Sequence, residues 1–458
     1  MISRNAIQYT LSHLLKVALP VNGIVDFQFE ISNRLLTVTF ADNYNLAVNL
    51  FSDDEYALFL SGEAHPTLIK SADKNVDVPV FKTDLSVEAR NVSLEENNLR
   101  IPYDIVTPSF IFLSRLEEYR DLPRDQHARF QYEYSLAKQY DCIDVPLVDE
   151  YALLLRQWIL TFLKPDIYIQ KRDYQFIPTH DIDLLFRFKN PIQAFKSIFG
   201  RDLLINKNLY EVRISLIEYG NWRKDSKNDP YILAIQELIQ KSAEHHLTSR
   251  FFFKALTTNE SDCTYDIFDK RVADIVEQTL SANMEIGLHG SYDSYNQAEQ
   301  FIKEKKRLEN VLGLPIVQSR QHYLRFDLQG TSCNADDHTT QSTLQILENA
   351  GIQHDYTLGY AERAGFRCGT CHPYFLYDVK RDCSTDITEH PLIVMDGTML
   401  DYMKLSAKEC NVLISRLLTR CKAVEGDFIM LWHNHLLSRN YRDIYSEVYL
   451  NTLSSLIR

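Results

Sequence analysis

The chain has 458 residues, length enough for two domains, and its 45% hydrophobic and 24% charged residues allow a large core without disulfide support. Its net charge of −13, with acids dispersed along the chain, disfavours sequence-independent binding to nucleic acid or anionic lipid, without excluding a small local basic site. No window approaches the roughly 18 apolar residues that a membrane span needs.

The N-terminus, MISRNAIQYTLSHLLKVALP, has apolar periodicity but no uninterrupted apolar stretch and no small-residue cleavage site. It reads as an amphipathic helix over residues 6–18 rather than a signal peptide, which predicts a cytoplasmic protein with reduced cysteines. VDFQFEIS and RLLTVTF, joined across Asn33, read as a hairpin. IVTPSFIFLSRLEEY and VPLVDEYALLLRQWILTFL carry apolar residues at helical spacing, and Lys164-Pro165 ends the second helix. Residues 1–165 therefore read as a compact α+β domain.

From about Tyr174 the grammar changes. Short apolar runs (QFIPTHDID, SRFFFKAL, MEIGLHGS, PIVQSRQHY, HDYTLGYA, HPLIVMDGT, GDFIMLWHNH) alternate with amphipathic helices such as YILAIQELIQKSAEHHL and AKECNVLISRLLTRC. Strand–helix alternation over seven or so units predicts a parallel sheet closed as a barrel over residues 166–458. In such barrels chemistry sits where strands end in loops.

Four strand ends carry metal-binding or proton-moving groups. Thr179-His180-Asp181-Ile182-Asp183 places two carboxylates at i and i+2, on one face of a strand, where they crowd negative charge unless a cation joins them. One Asp there would pass as a helix cap; a His and two Asp within four residues do not. His289 follows MEIGL, and the glycines beside it permit close approach of backbone to a ligand. Arg320 and His322 follow PIVQS, and FIML delivers Trp432, His433 and His435. Taken singly, each His is more often a hydrogen-bonded structural residue; four such tips in one barrel point to a shared site. Asp and His ligands suit zinc or a similar divalent ion and leave a position for water. Asp181 and His433 are the candidate base and acid for metal-assisted acyl hydrolysis.

These four segments, in this order, resemble the polysaccharide deacetylases, the NodB-homology or carbohydrate esterase family 4 group. The resemblance implies a distorted (β/α)7 barrel, a divalent metal (zinc, with cobalt, iron or nickel as alternatives) and removal of an N-acetyl or similar acyl group from a sugar. THDID looks like that family's first motif with its acids one residue apart, which makes Asp181 the base and Asp183 a ligand. His289 matches the first histidine of the H-(S/T)-x-x-H motif, but Asp293 stands where the second should be. Either Asp293 replaces it or His322 supplies the third ligand; His322 is preferred, and Asp293 is the alternative. Arg320 matches the motif arginine that orients the base, and His433 the acid. THDID, EIGLHGSYDS, SRQHYL, DYTLGYAERAGFRCGT and LWHN are similar to phrases of a WbmS-like branch tied to bacterial surface-polysaccharide clusters, in which an extra N-terminal domain precedes the barrel. That implies a surface glycan or its cytoplasmic precursor as substrate, and a biosynthetic complex as setting. Tyr292, Tyr323 and Asn434 are the candidate sugar contacts, the tyrosines by stacking on apolar sugar faces.

Cys368-Gly-Thr-Cys371-His372 fits the haem-attachment pattern but reads as coincidence in a chain with no export signal. The polar stretch from Arg115 to Arg129 reads as a solvated face or, by the resemblance, as an interface reaching the barrel mouth. The rival to the hydrolase is a catalytically silent barrel that binds glycan or scaffolds biosynthesis, favoured by the missing second histidine.

Overall fold

The computed structural model describes residues 2–20, 26–40, 44–83, 91–95, 98–164, 168–205, 209–262, 265–330, 341–437 and 445–456. Pro165, Cys263 and Cys333 lie outside these, and so does the expected boundary at 165/166.

The first helix, Arg4–Ala18, starts where the Ser3 side chain accepts the Ala6 amide, and it packs Leu11, Leu14 and Leu15 into the core beside the helix Leu147–Trp158. Asn33 and Arg34 take left-handed backbone (φ 49° and 65°), the two-residue turn that matches the twist of paired strands. They join β1 (Phe27–Ser32) to β2 (Leu35–Phe40). With β3 (Tyr44–Asn49), a separate hairpin of β4 (Thr67–Lys70) and β5 (Asp77–Val80), then β6 (Ser93–Glu95) and β7 (Asn98–Ile101), the first sheet runs β1-β2-β3-β7-β6.

The second sheet holds β8 (Gln175–Ile182), β9 (Arg250–Phe253), β10 (Glu285–Gly290), β11 (Gln318–Gln321), β12 (His354–Asp355), β13 (Tyr374–Asp378), β14 (Cys383–Glu389), β15 (Val394–Met395) and β16 (Asp427–Leu431). Its order is β13-β14-β12-β11-β10-β9-β8-β16-β15, parallel throughout except for the β13–β14 hairpin. The expected ring of seven strands is therefore a curled nine-stranded sheet. Only four residues, 390–393, link β14, next to one end, with β15 at the other end. His390 N donates to Asp355 O on β12, and Ile393 N donates to Ile429 O on β16. Gly287 on β10 is required by packing: a Cβ there would lie 2.5 Å from the Phe252 ring of β9.

Residues 1–165 are not loosely appended. One hydrophobic cluster runs from Leu14, Phe112 and Tyr151 into Phe428 and Trp432. Val148 N donates to Gly369 O, Phe366 N to Ile143 O, and the Asp149 carboxylate accepts from Thr370 Oγ1 and Cys371 N. Arg115 bonds Glu117, Glu118 and the Arg367 carbonyl, and Arg367 returns to Glu118, all fully buried. The start of the polar stretch, Arg115 to Glu118, thus sits inside a seam, where its buried charges are paired. No helix among the described residues is long and apolar enough to cross a membrane.

Candidate metal centre and active site

The alternation of β8 turns Thr179, Asp181 and Asp183 to one side and His180 to the other. His180 donates through Nδ1 to Trp432 O and packs on Phe251 and Tyr449; burial lowers it to about 4, so it is neutral and structural. On the other side, Asp183 Oδ1 lies 3.3 Å from His289 Nε2 and 3.5 Å from His322 Nε2. The three offer ligand atoms within 4.8 Å of one another. His289 is carried by β10; His322 follows β11, which is paired to β10 in register.

The chemistry of this cluster tests whether a metal fits. His289 Nδ1 meets the Arg320 carbonyl at 2.9 Å, and a carbonyl can only accept, so Nδ1 bears the proton. In the neutral ring Nε2 is then a bare lone pair aimed at a carboxylate oxygen, and both atoms are buried without a hydrogen-bond partner. Two acceptors at that distance need a cation between or beside them. The 3.3–3.5 Å separations match the edge of a tetrahedron with bonds of roughly 2.05 Å, about 3.3 Å. The residues fit a divalent ion. Burial alone would raise Asp183, but His322 and His289 hold it well below the usual carboxylate range.

Arg320 Nη1 donates to Asp181 Oδ1 at 2.9 Å and to Thr179 Oγ1, while its Nε donates to Tyr356 O, so the guanidinium is fixed in plane. Asp181 is buried, which raises a carboxyl, yet His289 and Arg320 outweigh this and lower it. His433, beyond β16, lies 3.5 Å by Nε2 from Asp183 Oδ2. Its backbone amide and Nδ1 both donate to Asp396, which follows β15. Burial opposes the imidazolium; Asp396, Asp183 and Asp181 prevail and push His433 up to about 10.

The structure separates the two candidates for the third position. Asp293 accepts from Asn259 Nδ2 and lies 3.5 Å from Arg325, outside the cluster that His322 joins. Tyr292 and Tyr323 stand half-buried beside the centre, with ring centroids 5.4 Å apart, and Tyr323 lies 4.5 Å from His322. Asn434, the third candidate sugar contact, is packed inside the protein. It is fully buried, and its amide donates to the carbonyls of Leu184 and Tyr231, anchoring the chain that leaves Asp183. Gly290, expected to make room for a ligand, makes room for side chains: a Cβ would meet Gln321 and Ser294.

Three residues were missed. Asp396 and Lys254 follow the apolar runs LIVM and RFFF, the same strand-tip signal that marked the others. Asp262, in a loop, has no local signal. Lys254 Nζ and Asp262 Oδ1 pair at 2.8 Å, fully buried, and both contact His322 Nδ1. The first 165 residues also reach the centre: His127 Nδ1 meets Tyr292 OH at 2.9 Å, and Arg129 donates to Tyr323 O and Tyr402 OH. Tyr323 and Leu324 both adopt left-handed backbone (φ 60° and 57°), strain that the Arg129 contact helps to hold.

Residues 2–164 match the model of a family of unknown function, DUF7033. No curated protein matches the chain. Solved structures similar to it include a candidate polysaccharide deacetylase from Mycobacterium smegmatis (15% identity, 63% of this chain and 85% of that one, TM-score 0.38). Others are the peptidoglycan deacetylase PdaC from Bacillus subtilis (10%, 62% and 85%, 0.27) and a carbohydrate esterase family 4 pseudoenzyme from Bacillus anthracis (9%, 62% and 62%, 0.29).

Proposed function

We propose that the protein is a metal-dependent hydrolase that removes an N-acetyl or similar acyl group from a sugar. The observation that carries this reading is Asp183 Oδ1 faced by two histidine Nε2 atoms, with a buried Asp181–Arg320 pair on one side and His433–Asp396 on the other.

Asp183, His289 and His322 would hold the ion, with zinc the first candidate and cobalt, iron or nickel the alternatives. A divalent ion bound there supplies an acidified water and polarises an acyl oxygen. Asp181, kept ionised and oriented by Arg320, accepts the proton of the attacking water. His433, protonated at neutral pH and held by Asp396, gives a proton to the departing amine. Tyr292 and Tyr323 form an aromatic wall suited to a sugar face. In this reading residues 1–165 are a domain of the WbmS-like kind, a division supported by the span of the family match, 2–164. The substrate is a surface glycan or its precursor, handled in the cytoplasm, with a biosynthetic complex as the setting.

One contact favours the silent-barrel reading. If Lys254 donates to His322 Nδ1, the neutral ring carries its proton on Nε2 and satisfies Asp183 without metal; if Asp262 accepts from Nδ1, Nε2 is free to ligate. Acetate release from N-acetylated sugar oligomers by zinc- or cobalt-loaded protein tests the function. The hydrolase reading expects release that Asp181→Asn abolishes while metal is retained. Full metal occupancy with no release from any N-acyl sugar would contradict it.

A further inference from the structure

Between Asp183 and the helix Pro230–Glu244 the chain makes a helical excursion: a short helix Pro191–Phe195, a wider-wound segment Lys196–Ile205 and a long helix Leu209–Lys224. It has a core of its own, built from Phe188, Ala194, Ile198 and Val212 and separate from the main one. The long helix packs Val212, Tyr219 and Trp222 on that core, yet it is apolar on its outward side too. Its inward face carries Ser215 and Glu218, which meet the buried Arg187 at 2.6 and 3.3 Å. Its outward face carries Leu209, Leu216 and Ile217, exposed by 73%, 46% and 49%. The short helix adds Ile192 (72%) and Phe195 (62%).

Apolar side chains gathered this way on an outer face mark an interaction surface. Charge indicates what covers it. Lys189, Lys196, Arg213, Arg223 and Lys224 are exposed there, whereas Glu218 is buried. The sequence of that stretch holds seven Lys or Arg against three Asp or Glu, in a chain of net charge −13. Exposed aliphatic and aromatic groups interleaved with basic ones, against an acidic body, are the complement of an anionic bilayer interface. There the apolar groups enter the headgroup boundary, and each nearby Lys or Arg gains from the surface potential.

We infer that the helices Pro191–Phe195 and Leu209–Lys224 dock this protein on anionic lipid membranes. The whole-chain charge disfavours lipid binding, and this excursion is where it is locally reversed. The inference needs no catalysis and stands apart from the hydrolase reading. Only its consequence rests on that reading: the excursion leaves the rim of the sheet that bears Asp183, so docking brings a membrane-borne, lipid-linked glycan to the same side as the site.

The test is co-sedimentation of the full chain with vesicles of phosphatidylcholine alone or mixed with phosphatidylglycerol, at low and high salt. Expected is binding to the anionic vesicles that salt weakens, and that Leu216→Glu/Ile217→Glu and Arg213→Glu/Lys224→Glu each reduce by about tenfold or more. Unchanged far-UV circular dichroism and thermal melting would show that both double variants remain folded. Absence of binding, binding to both vesicle types alike, or binding that both variants retain would overturn the inference. So would a dimer in solution that the Leu216→Glu/Ile217→Glu variant dissociates, because the face would then be covered by a second copy.

Discussion

Asp396 grips His433 at two points: one carboxylate oxygen accepts its backbone amide at 2.6 Å, the other accepts Nδ1 at 2.8 Å. Sharing one carboxylate between main chain and ring fixes the imidazole's orientation and its charge together. Removing that charge should therefore bring His433 down from about 10 toward its ordinary 6.5. In metal-free Asp396→Asn, an NMR titration should show this fall, and deacetylation by the loaded variant should drop by roughly 10²–10⁴-fold. The sign for stability follows: because the folded value is raised, the stabilisation is complete below 6.5 and is lost as pH rises through about 10. The wild type should lose stability over that alkaline window, and the variant should lose less. An unshifted titration in the variant would remove Asp396 from this role.

Lys254 and Asp262 lie behind His322, away from Asp183, and the Asp262 carboxylate also accepts the Tyr292 amide at 2.8 Å. Asp262→Asn should weaken metal affinity by about 10–100-fold, as loss of a partner that orients a histidine ligand does elsewhere. Competition with a chromogenic chelator measures it. Unchanged affinity would mean that His322 is held by other contacts or is not a ligand.

Asn434 should behave as a structural residue. Asn434→Leu leaves the carbonyls of Leu184 and Tyr231 without its amide and should cost about 1–3 kcal/mol in urea denaturation, with any loss of activity following from the fold. A raised KM at wild-type stability would restore it to the substrate contacts.

His13 predicts an acid limb of stability. Burial, followed by His372 and Lys16, lowers it from 6.5 to about 3, so the folded state holds it neutral while the unfolded chain protonates. The cost begins as pH falls through 6.5 and reaches about 2 kcal/mol at pH 5. His13→Phe should therefore narrow the wild type's loss between pH 7.5 and 5 by about that amount, measured by chemical denaturation. An equal loss in both proteins would show that His13 is not protected.

The strand-tip acids and histidines were legible because strand alternation and an apolar run leave a pattern within a few residues. Asp181 and Asp183 share a face for that reason, and Asn434, adjacent to His433, turns to other partners. The β13–β14 hairpin was not legible. What covers it is distant in sequence: Tyr9 OH, for instance, donates to Phe375 O on β13. The link through residues 390–393 and the role of Asp262 likewise depend on contacts between distant segments, which local pattern does not encode. Lys254 carried the signal, but lysine is not a usual metal ligand and its part is played behind one.

The most direct test of the metal centre is elemental analysis of purified protein after incubation with zinc, for the wild type beside His289→Ala, His322→Ala and Asp293→Ala. The account predicts about one equivalent in the wild type and in Asp293→Ala, and little in the two histidine variants. No bound metal in the wild type, or full occupancy in His322→Ala with loss in Asp293→Ala, would contradict it.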